Sequence, residues 1–207
     1  DIHSHRYWKK DKRVVVAKCI QCHDQEAMYR QSVHGKAVGA GNQDSAACND
    51  CHNLHDIKPM NDTKFHTDRV FHTKVCLKCH SDEQMMKRNN VFNVATRTYM
   101  DSYHGKNYRL GYPEKVAGCS DCHTAHAVLK ASDPRSSVNP ALLTKTCRQC
   151  HTQATTMFTK FYAHGEHTDR EKYPLLYWTF IGMVGLLVST FVVFWVHTLL
   201  WLYRGFA

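Results

Sequence analysis

Apolar positions are spread very unevenly along this chain. Residues 175–203, LLYWTFIGMVGLLVSTFVVFWVHTLLWLY, run for twenty-nine positions without a formal charge, well beyond the roughly twenty a helix needs to cross hydrocarbon. The pattern predicts one C-terminal transmembrane helix. Pro174 stands at a first helical position, Asp169 and Glu171 precede it near the positive end of the helix dipole, and Tyr177, Trp178, Trp201 and Tyr203 offer aromatic belts at both interfaces. Upstream, long aliphatic runs are scarce. Helical periodicity falls around 24–33, 82–90 and 152–162, no strand alternation persists, and 56–73 and 130–140 read as connections. The expectation is a mainly α fold with much irregular loop, its interior filled by something other than Leu and Val.

The cysteines supply the filling. The 207 residues include ten Cys and sixteen His, and every Cys belongs to a C-x-x-C-H motif: Cys19, Cys22 and His23; Cys48, Cys51 and His52; Cys76, Cys79 and His80; Cys119, Cys122 and His123; Cys147, Cys150 and His151. This is the attachment pattern of c-type haem, in which two thiols add to the porphyrin vinyl groups and the adjoining imidazole becomes the proximal iron ligand. Disulfide frameworks, zinc ribbons and thioredoxin-like pairs have no need of a His after every second Cys. Five motifs predict five c-type haems and a haem-organised multihaem cytochrome c domain.

A low-spin haem wants a second axial ligand. His34 lies in SVHGK, His104 in SYHGK and His164 in YAHGE, while His55 and His126 each follow a motif His by three residues. These five are the distal-ligand candidates. Their order exposes a repeat, C-x-x-C-H then Ser-x-His-Gly-Lys then C-x-x-C-H-x-x-H, with units over about 19–55, 76–126 and a truncated 147–164. Two haem pairs and one extra haem follow. The Gly after each His is expected where backbone approaches a haem face, and Lys36 and Lys106 are either propionate partners or solvated lysines.

The reading divides the chain into a haem domain over 1–168, a juxtamembrane linker at 169–174, the helix at 175–203 and a cytoplasmic tail at 204–207. Covalent haem attachment belongs outside the cytoplasm, so the haem domain is expected on the periplasmic side of the cytoplasmic membrane, with a targeting segment removed or omitted. His197 lies inside the span, where a polar group is costly. It is a candidate contact for a quinone or a b-type haem, or an interfacial His bonded to a neighbouring helix. The net charge of +9 is offset by about ten haem propionates if five haems are bound. The chain has no basic stripe with interleaved aromatics, so nucleic acid is not an expected partner.

On the paired C-x-x-C-H motifs, the C-x-x-C-H-x-x-H elements and the Ser-x-His-Gly elements, the span from about Cys19 to His164 resembles the multihaem cytochrome c families. These include NapC- and NrfH-type quinol dehydrogenases and small periplasmic tetrahaem and pentahaem carriers. The resemblance implies distal ligation by His34, His55, His104, His126 and His164. The C-terminal anchor departs from the N-terminal one of NapC-like proteins and looks more like a cytochrome subunit of a larger membrane quinone oxidoreductase. The implied function is electron transfer between integral membrane quinone oxidoreductase subunits and periplasmic redox proteins, with membrane lipid as a further partner. The competing reading, a multihaem reductase of a small nitrogen or sulfur oxyanion, needs one iron with an open position.

Overall fold

Short helices opened by small polar caps build most of the structure, a computed structural model that describes residues 11–52, 68–92 and 94–206. Asp11 accepts from the Arg13 amide and opens α1, Lys12–Cys19. Helix α2, Glu26–Gln31, stops at Ser32, whose hydroxyl accepts from the Gly35 amide at 3.0 Å and so opens α3, Val33–Gly39. A one-turn helix, α4, Cys48–His52, carries the second motif. Helix α5, Asp68–His80, ends in the third, and α6, Glu83–Arg88, follows from an Asp82 cap. The second repeat then returns to the design of the first: α7, Ala95–Asp101, gives way at Ser102 to α8, Tyr103–Arg109, and a one-turn α9, Cys119–His123, bears the fourth motif. Helix α10, Pro140–Cys147, capped by Asn139 and with Pro at its start, leads into the fifth. There is no strand among the described residues.

The periodic stretch at 24–33 is thus two helices broken at a serine cap, while 82–90 contains α6. The third expected helix, 152–162, is only a 3-10 turn at Phe158–Lys160. Its threonines account for the difference. Thr155 Oγ1 accepts from the Phe158 amide at 3.4 Å and the Thr159 hydroxyl donates to the Thr156 carbonyl at 3.1 Å, local bonds that compete with helical pairing.

The aliphatic core is small. The buried apolar residues among those described are Val15, Val16, Val38, Ala47, Met86 and Ala154, with no Leu, Ile or Phe. Val16, Val38 and Ala47 cluster with Ile20, Tyr29 and Cys48, so this apolar cluster gathers against the attachment residue Cys48.

The chain divides into two compact bodies, one ending at Ala163 and the other beginning at His164. In the second, the buried Glu166 carboxylate accepts from the Thr168 hydroxyl at 2.8 Å, and the Tyr173 hydroxyl donates to the His164 carbonyl at 3.2 Å. From this collar rises α11, Pro174–Phe206, 33 residues long and apolar enough to cross a membrane, with none of its residues buried. The Arg170 guanidinium lies over the Trp178 ring near its start.

Candidate haem-binding site

The two kinds of motif are built differently. The first and fifth begin at the last residue of a helix, Cys19 in α1 and Cys147 in α10, and the third closes the long α5. The second and fourth start their own single turn, and both read C-x-D-C: Asp50 accepts from the Ala47 amide at 2.8 Å and Asp121 from the Gly118 amide at 2.7 Å. These carboxylates satisfy an amide at the opening of the turn and hold the two cysteines, three positions apart, on one short helix. Lys12 of α1 pairs with Asp50 at 2.8 Å and donates to the Ser45 carbonyl, tying the second motif to the helix that bears the first.

Repeat symmetry extends to side chains outside the motifs. The Tyr29 hydroxyl donates to the Ala46 carbonyl at 2.8 Å, and Tyr99 donates to the Ala117 carbonyl at 2.9 Å, in each case just before a C-x-D-C turn. Burial pushes the Tyr99 phenol up to about 12 and raises that of Tyr29 as well. Ser32 and Ser102 each donate at 2.6 Å to the tyrosine carbonyl and cap the following helix. The glycine after each candidate histidine faces that same carbonyl. A Cβ on Gly35 would stand 2.0 Å from the Tyr29 oxygen, and one on Gly105 would stand 2.1 Å from the Tyr99 oxygen. Close backbone approach is the reason for glycine here, and the approaching backbone is that of the preceding helix.

Three imidazole pairs stand out. His34 and His80 have ring centres 6.1 Å apart at 58°, His52 and His126 are 6.0 Å apart and stacked at 18°, and His104 and His151 are 6.1 Å apart at 41°. With metal–imidazole bonds of about 2 Å and about 1.1 Å from ring nitrogen to ring centre, two imidazoles on opposite sides of one iron hold their centres about 6 Å apart. The donor set and its spacing therefore fit a haem iron between the members of each pair. Burial, helped by the neighbouring His80, lowers His34 to about 4, and burial also lowers His52, His80 and His104, each of the first and last with its facing imidazole adding to the effect. A neutral imidazole keeps the lone pair that a metal requires.

Every pair joins different repeats. His34 of the first repeat faces the opening motif of the second, His104 of the second faces the opening motif of the third, and His126 reaches back to the closing motif of the first. Non-local bonds set these registers. Arg88, beyond His80, donates to both Asp44 carboxylate oxygens at 2.6 and 2.8 Å, and Asn89 donates to Asp44 at 2.8 Å. The Val33 amide donates to the Val128 carbonyl at 2.8 Å, joining the His34 helix to the irregular segment after His126. Phe158 lies against His151, ring centres 5.0 Å apart.

The attachment cysteines form a succession. Cys48 is pushed up to about 11 by burial, then by the neighbouring Cys19 thiol; Cys51 and Cys122 reach about 11 by burial, with the Cys76 and Cys147 thiols respectively adding most after it. A hydrogen bond between Cys76 and Cys119 raises the former and lowers the latter. All ten thiols are unpaired by disulfides. One contact went unread in the sequence: His72 Nδ1 is hydrogen-bonded to the Ser120 hydroxyl inside the fourth motif, and no spacing marks it. Lys36 lines a cleft of about 630 Å³ with Lys130 and Asp133, while Lys106 lies 6.0 Å over the Tyr103 ring. His55 lies outside the described residues, His164 belongs to the second body, and His197 sits on the exposed surface of α11.

Among known proteins, the Cytochrome c3 family matches residues 1–81. The multiheme cytochrome MtrA of Shewanella baltica is 24% identical over 149 residues, 66% of this chain and 42% of that protein, so the chain spans about two fifths of its relative's length. No solved structure matches it.

Proposed function

Because the chain belongs to the multihaem cytochromes c, we propose that it binds five haems and carries electrons between a membrane quinone oxidoreductase partner and periplasmic redox proteins. The observation that carries this reading is the packing of the motif-bearing helices on one another, α1 on α4, α5 on α9 and α9 on α10, with His52 of α4 facing Phe71 of α5 at a ring separation of 6.4 Å. Cofactors anchored at such neighbouring points are close enough for rapid exchange, and haem supplies the one-electron chemistry. The chain's own contribution is placement: thioether anchors from the ten cysteines and proximal imidazoles from His23, His52, His80, His123 and His151.

Distal ligation in this reading comes from His34 for the third haem, His126 for the second and His104 for the fifth, on the three facing pairs. His55, in the C-x-x-C-H-x-x-H that mirrors the one bearing His126, is assigned to the fourth. The apolar helix α11 supports anchorage in the cytoplasmic membrane, with the haem body on the periplasmic side, the compartment in which c-type haems are attached. His197 then meets a partner helix, a quinone or a b-type haem. The reading is tested on the denatured full-length chain by mass, which must exceed the polypeptide by five haems, and on native membranes by reduction with quinol. Fewer haems remove the pentahaem assignment. A full complement that quinol leaves oxidised removes the quinone-linked partner.

A further inference from the structure

We infer that Thr124 is a positioning residue for the second haem: its left-handed backbone divides His123 and His126 between two irons, and so sets which iron His126 ligates. The inference rests on the reading that the second and fourth motifs hold haem. Two observations carry it.

The first is where His126 stands. Helix α9 ends at His123, and a helix continued past that point would carry His126, three positions on, to the same face. The two imidazoles would then lie side by side over one cofactor, whereas an iron takes its two axial ligands from opposite sides. The structure has them apart. The centre of the His126 ring is 6.0 Å from that of His52, the closing-motif histidine of the first repeat, and the two rings stack at 18°.

The second observation is the conformation that separates them. The chain leaves α9 at Thr124, with a φ of 64° and a ψ of 168°. Asn90 and Thr124 are the non-glycine residues with positive φ among those described. Asparagine visits that half of the map readily, but a β-branched residue there is an outlier. With ψ so extended the region belongs almost wholly to glycine, and another residue stays in it only where its surroundings fix the chain. Here the chain is held on both sides. Before Thr124, the Cys122 carbonyl accepts the Ser137 hydroxyl, and the Gly118 amide donates to Asp121 at 2.7 Å. After it, the Val128 carbonyl accepts the Val33 amide at 2.8 Å, from the helix that carries His34. The strained residue lies between these two held stretches, and the imidazole it redirects is the one facing the second motif.

The test uses the full-length holoprotein in detergent and the pair T124G and T124A. Both lack the threonine hydroxyl and its branch, and they differ by one Cβ, which is costly at positive φ. Cyanide competes with the distal imidazole for ferric iron, so the concentration that converts a haem measures how firmly its imidazole is held. At the second haem that concentration is expected to be about fivefold higher in T124G than in T124A, with the other haems alike in both. The affected transition should be missing from C48S/C51S, which lacks the second haem. Equal concentrations in T124G and T124A overturn the inference. So does a difference at a haem that C48S/C51S retains, or one spread over all the haems, as a general loss of stability would give. Should C48S/C51S fail to accumulate, H126A assigns the transition: the haem whose cyanide affinity rises in H126A must be the one that separates the glycine and alanine variants. Five covalent haems without that separation would leave the conduit standing while this inference fell, whereas a second or fourth motif without haem would remove both.

Discussion

At the residue scale the Ser-x-His-Gly element carries more than a ligand. The sequence marks it as a histidine between two attachment motifs, and that much is legible because the spacing recurs. The tasks of Ser32 and Gly35 are not legible, since they depend on the Tyr29 carbonyl folding back from the preceding helix. That oxygen receives the Ser32 hydroxyl at 2.6 Å and leaves no room for a side chain at Gly35. Gly35→Ala and Gly105→Ala should each destabilise the holoprotein by about 1–3 kcal/mol through overpacking, and thermal unfolding followed at the Soret band would measure it. Gly39 supplies the control: nothing lies within 4 Å of a Cβ there, so Gly39→Ala should be neutral or stabilising by up to about 1 kcal/mol. Equal losses at all three glycines would contradict the carbonyl clash. Ser32→Ala should cost about 0.5–2 kcal/mol as a lost cap.

At the element scale the helices that lead into the opening motifs were hidden, and those that form the closing motifs left a trace. Helices α1, α5 and α10 approach their cysteines through sequences of weak amphipathicity and pack on the short helices of the closing motifs, so no aliphatic stripe marks them. The C-x-D-C of the closing motifs, by contrast, is a readable capping signal once Asp50 and Asp121 are seen to accept amides at 2.8 and 2.7 Å. What no local pattern contains is the clamp from Asp44 to Arg88 and Asn89, which brings the loop after the His34 helix onto the helix after His80. Arg88, with Asn89, holds the Asp44 carboxyl well below the usual carboxylate range. A folded-state value below the unfolded one means the clamp contributes fully above the unfolded pKa of about 3.9 and weakens as pH falls below it. Arg88 is solvent-exposed and Asp44 partly so, which keeps the contribution modest and screened by salt. Asp44→Asn should lower the melting temperature at pH 7, with the gap to wild type shrinking under acid or at high ionic strength. A gap that widened on acidification would contradict the sign.

At the scale of the whole molecule, the number of motifs and the apolar helix α11 could be read directly, whereas the order of the cofactors could not. Spacing along the chain says which cysteines share a haem; it does not say which haems are neighbours, because that depends on contacts between repeats. On the proposed five-haem reading, packing between motif-bearing helices supplies the order: α1 on α4 and α5 on α9 join the two motifs of a repeat, while α4 with α5, through His52 and Phe71, and α9 with α10 join successive repeats. A linear order has an electrostatic consequence. Each electron added to one site disfavours reduction of the adjacent one, and the low-dielectric setting between them keeps that repulsion from being fully screened. Redox titration of the holoprotein should therefore be broader than five independent one-electron steps of the same intrinsic potentials. Removing the fourth haem with Cys119→Ser and Cys122→Ser should narrow it more than removing the fifth, because the fourth site adjoins the third and the fifth whereas the fifth has one neighbour. The absorbance of the remaining haems reports both changes. If the two losses narrowed the titration equally, the fourth and fifth sites would have the same number of close neighbours, and a branched or closed arrangement would have to replace the line.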